Sequence, residues 1–120
     1  MNNLYESGEM YLETILQLKE KLNNVRSIDI VHEMGFSKPS VSIGMKKLRD
    51  GGYITVDDDG YIELTDTGLS IANKILERHR VLTQILVNLG VSEKTAAEDA
   101  CKIEHDISEE TFLAIKNSLK

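Results

Sequence analysis

The sequence predicts a mainly α fold that opens with three short helices, passes through one β-hairpin and ends in three more helices. Three observations carry this prediction. Apolar residues recur at i, i+3 and i+4 along most of the chain, the signature of helices with one buried face. Two of the early helical segments are joined only by a short turn at Gly35-Phe36. Asp57-Asp58-Asp59-Gly60 separates two runs of aromatic and β-branched residues, which is a strong hairpin signal.

Residues 7–22 form the first predicted helix, with Ser7 as its cap and Tyr11, Leu12, Ile15, Leu18 and Leu22 at helical spacing. Asn23-Asn24 ends it. Ser27 caps a short helix from Ile28 to Met34, in which Ile28 and Val31 face inward and Ile30 is a further candidate. Gly35 stops it, since a left-handed backbone costs glycine nothing. Ser37 opens the third helix, and Pro39 lies in its first turn, where a missing N–H matters little. Val41, Met45 and Leu48 mark its buried face, and Gly51-Gly52 closes it. Strands are expected at Tyr53–Val56 and Tyr61–Leu64. A helix-turn-helix followed at once by a hairpin is a winged helix-turn-helix. The tip of this hairpin is acidic, which argues against its gripping phosphate.

Thr65 caps a long helix running to about Leu89 and ended by Gly90. It carries Leu69, Ala72, Ile75, Leu76, Leu82, Ile85, Leu86 and Leu89, more apolar surface than a short domain covers by itself, so one side should meet a partner. Ser92 caps a fifth helix reaching roughly His105, and Ser108 caps a sixth with Phe112, Ile115 and Leu119. No Pro/Ser-rich linker or repeat intervenes, so the expected boundary falls inside the long helix. It divides residues 1–73, the winged helix-turn-helix, from a small all-helical domain at residues 74–120.

Composition narrows the function classes. The apolar fraction of 41% and charged fraction of 28% are those of a soluble globular protein. No apolar run is long enough to span a bilayer, and the first residues lack the basic and apolar regions of a secretion signal. One cysteine, Cys101, rules out an internal disulfide framework and fits a reducing cytosol. A cytoplasmic protein without a membrane partner is expected. The net charge of −6 argues only weakly against nucleic acid, because charge distribution matters more than its sum. Residues 37–49 carry Lys38, Lys46, Lys47 and Arg49 and no acid, whereas the last third carries Glu93, Glu98, Asp99, Glu104, Asp106, Glu109 and Glu110. DNA at the basic island and cations at the acidic end would account for both.

Cys101, Glu104 and His105 stand at i, i+3 and i+4, positions that share one face of a helix. Thiolate, carboxylate and imidazole are the main protein ligands for borderline transition metals. The same triplet also reads as a buried cysteine beside a surface Glu–His pair, and the residues alone leave both readings open. His79, between Arg78 and Arg80, reads by itself as a solvated histidine. Met10 and Glu13, three apart on the first helix, read as core filler and a surface acid.

Four spaced motifs resemble the diphtheria-toxin-repressor family of iron- and manganese-dependent repressors. Gly8-Glu9-Met10-Tyr11-Leu12-Glu13-Thr14-Ile15 is similar to that family's opening helix, and Ser37-Lys38-Pro39-Ser40-Val41-Ser42 to its recognition helix. Arg78-His79-Arg80-Val81-Leu82 is similar to its R-H/K-H turn. The run from Asp99 to Ser108 is similar to its metal-binding helix, D/E-A-C-x-x-E-H-x-x-S. The motifs cover nearly the whole chain in the family's order.

The resemblance implies that Met10, Cys101, Glu104 and His105 form the main metal site, the pattern of the iron-sensing branch. The manganese branch has Asp and Glu at positions 10 and 101. Thioether and thiolate suit Fe(II), Co(II), Ni(II) or Zn(II), whereas hard Mn(II) prefers oxygen. Fe(II) is therefore the expected cofactor, with Mn(II), Co(II), Ni(II) and Zn(II) as other candidates. The iron branch's ancillary site uses His79 with a glutamate four residues on and a histidine four residues before the cysteine; here those positions are Thr83 and Ala97. That site should be missing or rebuilt. Glu13 and His79 match the manganese branch's second ion instead. The chain ends at Lys120, without the SH3-like domain of larger members.

The resemblance also implies repression of iron-uptake genes by a metal-loaded homodimer bound to palindromic double-stranded operator DNA. A metal linking Met10 to the C-terminal ligands would fix the spacing of two recognition helices, which must span half-sites roughly 34–36 Å apart or a multiple of that. Ser37, Pro39 and Ser40 should reach base edges, with Ser42 and Ile43 on the same helix, while Lys38, Lys46 and Lys47 meet phosphate. Ile43 stands where the iron branch commonly has Gln, so a different operator is expected. A metal-independent winged-helix regulator and a small metalloenzyme are the rival classes. The second lacks a nucleophile and an acid–base pair, so an enzyme is not expected.

Overall fold

The element order of the computed structural model, which describes residues 6–119, is α1 Glu6–Lys21, α2 Ser27–Met34, α3 Lys38–Asp50, β1 Ile54–Val56, β2 Ile62–Leu64, α4 Asp66–Asn88, α5 Glu93–Ile103 and α6 Glu109–Ser118. This is the mainly α order expected: six helices and one two-stranded sheet among the described residues. The chain divides into two compact units, residues 1–73 and 74–120.

Local chemistry explains most boundaries of the first unit. Ser7 lies inside α1 and not at its cap. Arg26, with extended backbone, precedes α2, and its N–H donates to the Asp29 carboxylate at 2.9 Å; Ser27, the expected cap, is the first helical residue. The acid three residues on supplies the acceptor here, so the start moves back by one. Gly35 ends α2 at φ 71°, donating its N–H to the Val31 carbonyl. Ser37 caps α3 by accepting from the Ser40 N–H at 3.2 Å, with Pro39 in the first turn.

β1 and β2 pair antiparallel, Ile54 with Leu64 and Val56 with Ile62. The Asp57 carboxylate closes the turn by accepting from the N–H groups of Asp59 and Tyr61, each at 2.9 Å. The acids at the wing tip thus include one that builds the turn. The Ile62 N–H donates to the Val25 carbonyl at 2.7 Å, tying β2 to the link between α1 and α2. Lys19 and Glu63 pair between α1 and β2.

The core of this unit gathers Tyr11, Leu12, Ile15 and Leu18 of α1, Ile30 of α2, Val41, Met45 and Leu48 of α3, and Val25, Ile54, Ile62 and Ala72. Two expectations shift. Ile28 is exposed, and Ile30 is the fully buried anchor of α2. Leu22, just past the end of α1, is also exposed. A two-turn helix has one narrow buried stripe, and periodicity alone does not say which residue occupies its centre.

In the second unit, Ile75, Leu76 and Leu82 of α4, Ala96 and Ala100 of α5 and Phe112 of α6 are buried. Lys74 pairs with Glu109 at 3.0 Å and Lys116 with Glu77 at 2.8 Å, linking α4 to α6. Both pairs are well exposed, so they orient the helices more than they stabilise them. No helix among the described residues is long and apolar enough to cross a membrane.

Gly68, in the first turn of α4, approaches the hairpin so closely that an added Cβ would lie 2.0 Å from the Tyr53 carbonyl oxygen. Backbone cannot yield there as a flexible side chain would. Gly68→Ala is expected to cost about 1–3 kcal/mol, read as a lower urea midpoint, against less than about 0.5 kcal/mol for Ser70→Ala on the exposed side of the same turn. Equal midpoints for the two variants would refute this close packing.

Candidate functional site

The second unit places an unusual acid at the end of α5. Glu104 follows the last helical residue, Ile103, keeps helical backbone angles and donates its N–H to the Ala100 carbonyl. Its side chain has 0% exposure. An ionised carboxylate is costly to bury without partners. The groups around it are imidazoles: His79 Nδ1 lies 3.0 Å from Oε2, and His105 Nε2 lies 3.4 Å from Oε1. Oε1 itself accepts no hydrogen bond. A buried carboxylate oxygen without a donor, flanked by two imidazoles, is the donor chemistry that a divalent transition ion satisfies. Glu104, His79 and His105 therefore fit a metal.

The expected ligands are placed as follows. Cys101 is half-buried in the last turn of α5. His105 lies beyond the helix, in the turn that follows it, with its side chain only 1% exposed. Of the three expected in the second unit, Glu104 and His105 meet, with His105 Nε2 3.4 Å from Glu104 Oε1. His79, which by itself reads as solvated, is the residue that meets Glu104. In the first unit, Met10 is half-buried and Glu13 buried, one turn apart on α1.

Positions 83 and 97 bear on the ancillary site. The Thr83 hydroxyl donates back to the His79 carbonyl at 2.7 Å, and Ala97 has no donor atom. A pocket of ≈ 490 Å³ stands there, lined by His79, Thr83, Gln84 and Ala97 among others.

Arg78 escaped the sequence reading, although Ile75, Arg78 and Leu82 fall on one stripe of α4. It is buried, and its Nη1 donates to the backbone carbonyls of Glu104 at 3.2 Å and Ile107 at 3.0 Å. Its guanidinium also lies over the Phe112 ring, 5.3 Å from the centroid. Nearby, a hydrogen bond from Lys74 holds the Glu109 carboxyl below the ordinary range.

On α3, Ser37, Lys38, Pro39, Ser40, Ser42, Ile43, Lys46 and Lys47 are all exposed, opposite the buried Val41, Met45 and Leu48. Ile43 is 58% exposed, conspicuous for a branched apolar side chain amid serines and lysines. The Ser37 hydroxyl donates to that of Ser40 at 2.9 Å, while Lys46 pairs with Asp50 at 3.2 Å. Hydroxyls and Ile43 share this surface with Lys38 in the first turn and Lys46 and Lys47 further on.

Comparison with known proteins gives a family match for each unit. The family described as iron dependent repressor, N-terminal DNA binding domain, matches residues 3–63, and iron dependent repressor, metal binding and dimerisation domain, matches residues 65–120. An uncharacterised HTH-type transcriptional regulator of Methanocaldococcus jannaschii is 36% identical over 113 residues, covering 92% of this chain and 90% of its own. The iron-dependent repressor IdeR of Mycobacterium tuberculosis is 32% identical over 111 residues, 92% of this chain but 48% of its own, so the chain spans about half of that relative. The solved structure of a manganese-dependent transcriptional repressor in complex with manganese has a TM-score of 0.85 and 29% identity, over 93% of this chain and 52% of the other. Matched in both units and in the order of the motifs, the chain belongs to the iron-dependent repressor family, the diphtheria-toxin-repressor family of metal-dependent transcriptional repressors.

Proposed function

We propose that this protein is a metal-activated repressor that binds palindromic operator DNA as a homodimer and controls metal-uptake genes, with Fe(II) as the activating ion. The observation that carries the reading is the fully buried Glu104 carboxylate between His79 and His105, with one oxygen lacking a donor. Bound there, a divalent ion would supply the positive charge that the carboxylate lacks. The residues hold it: Glu104 and His105 as ligands, with Cys101 in the preceding turn and Met10 assigned by the family resemblance.

Sulfur at positions 10 and 101 supports iron, since a carboxylate at 101 would serve Mn(II) better. The contact of His79 with Glu104 favours a second reading, in which Glu13 and His79 serve a harder ion such as Mn(II). Metal acts as an allosteric effector only if it binds the DNA-competent arrangement more tightly than the alternatives. In titrations of operator binding at fixed salt, Fe(II) is expected to activate at lower concentration than Mn(II), and His105→Ala to abolish the metal response while keeping cooperative unfolding. A wild-type response at wild-type metal levels in that variant would refute the ligand assignment. A stronger response to Mn(II) would refute iron alone.

Homodimerisation through residues 82–119 is supported by apolar surface left uncovered in the second unit, where Leu89 is 76% and Leu113 45% exposed. Sedimentation equilibrium with metal should give twice the mass of one chain at tens of micromolar; a monomer there would contradict the proposal.

DNA contact divides along α3. Ser37, Pro39 and Ser40, with Ser42 and Ile43, serve base edges; Lys38, Lys46 and Lys47 serve phosphate. Ile43 suits a thymine methyl, which apolar side chains contact in the major groove. Lys47→Ala should weaken binding to every sequence alike and lower the salt slope by about one unit. A changed sequence preference, measured by competition with operator variants, would show that Lys47 reads bases instead.

A further inference from the structure

Two consecutive residues of α4 hold the two ends of Glu104. His79 reaches its carboxylate, at 3.0 Å, and Arg78 reaches its backbone carbonyl, at 3.2 Å. Neighbouring residues on a helix point about 100° apart, so one side chain cannot do both tasks and two can. The same Arg78 Nη1 donates to the Ile107 carbonyl at 3.0 Å. One nitrogen thus pins both ends of the turn 104–107, which carries Glu104 and His105 and joins α5 to α6.

We infer that Arg78 is a positioning residue for the metal site, setting the turn 104–107 in its ligand-presenting form before an ion arrives. This rests on the reading of Glu104 and His105 as ligands. Three features fit a clamp better than a surface cation. The side chain is 11% exposed, so its bonds are little diluted by water. Glu109 lies 3.9 Å from Nη2 and the Phe112 ring stacks beneath the guanidinium, so its plane is held from two more directions, both on α6. The carbonyls it binds follow the C-terminus of α5, where a cation also complements the helix dipole.

Arginine is the suitable residue. Its planar guanidinium presents donors in fixed directions, whereas a lysine ammonium is a rotating point charge. Arg78 touches no ligand atom; it acts on the backbone that carries the ligands. Partners of that kind typically change metal affinity by about 10–100-fold when removed.

The test uses the full chain with Co(II) as the probe, followed through its visible ligand-field absorption, alongside thermal unfolding of the metal-free protein. Arg78→Met keeps the stem and removes the clamp. It should raise the Kd for Co(II) by about 10–100-fold and alter the ligand-field bands at saturating metal. Arg78→Lys restores the charge near Glu109 without the fixed plane and should recover part of the affinity but not the wild-type bands. If Arg78→Met does not fold, the Lys variant carries the same comparison. Wild-type affinity and bands in the folded variant, with a lower Tm only, would reduce Arg78 to a structural role and overturn the inference. Absence of Co(II) binding by the wild type would instead overturn the metal reading of Glu104 itself, and the inference with it.

Discussion

Burying an ionised carboxylate removes it from water, and the structure must return that solvation through partners. Glu104 poses this problem in the second unit, at 0% exposure. Its carboxylate meets His79 and His105, and both are groups that bind metals when neutral. Its backbone carbonyl meets the Arg78 guanidinium, which also reaches the Ile107 carbonyl, Glu109 and the Phe112 ring. No lysine or arginine head group is paired with this carboxylate among the described residues, and the unit that holds it matches a metal-binding and dimerisation domain. The rest of the unit is arranged around the same point. α4 presents consecutive residues to it, α5 ends at it, and the turn into α6 is fixed over it.

The first unit solves a different problem. Its core draws one residue set from each of three helices and from both strands, which leaves the outward face of α3 clear of packing duties. Serines, a proline and Lys38 then occupy the helix start, Ile43 the middle and Lys46 and Lys47 the end. Under the proposed DNA contact, this face would combine groups that distinguish bases with groups that only add affinity. It also explains how an acidic chain belongs to a DNA-binding family. The net charge of −6 is an average over a basic helix face and an acidic C-terminal region, and only the local field at the contact matters.

Much of the architecture was legible because it is written in short-range chemistry. Gly35 marks a left-handed stop, Ser37, Ser92 and Ser108 accept from N–H groups three residues on, and Asp57-Asp58-Asp59-Gly60 makes the hairpin turn. Failures came where two local signals compete. Ser27 yielded the cap of α2 to Arg26 because Asp29 offered the better acceptor, and Ile30 displaced Ile28 from the core of a helix too short to reveal its stripe.

The sequence by itself determined the order of elements, the basic face of α3 and the residue types available to a metal. Those follow from periodicity, capping and charge, which act over a few residues. Tertiary structure decided which of those residues meet. It ended α5 at Ile103, so that Glu104 and His105 lie at the start of the turn that follows. It brought His79, twenty-five residues away in the chain, against Glu104, and buried Arg78 to grip the backbone at the same residue. Such pairings depend on how α4 crosses the end of α5, a relation between distant segments that no local pattern in the chain records.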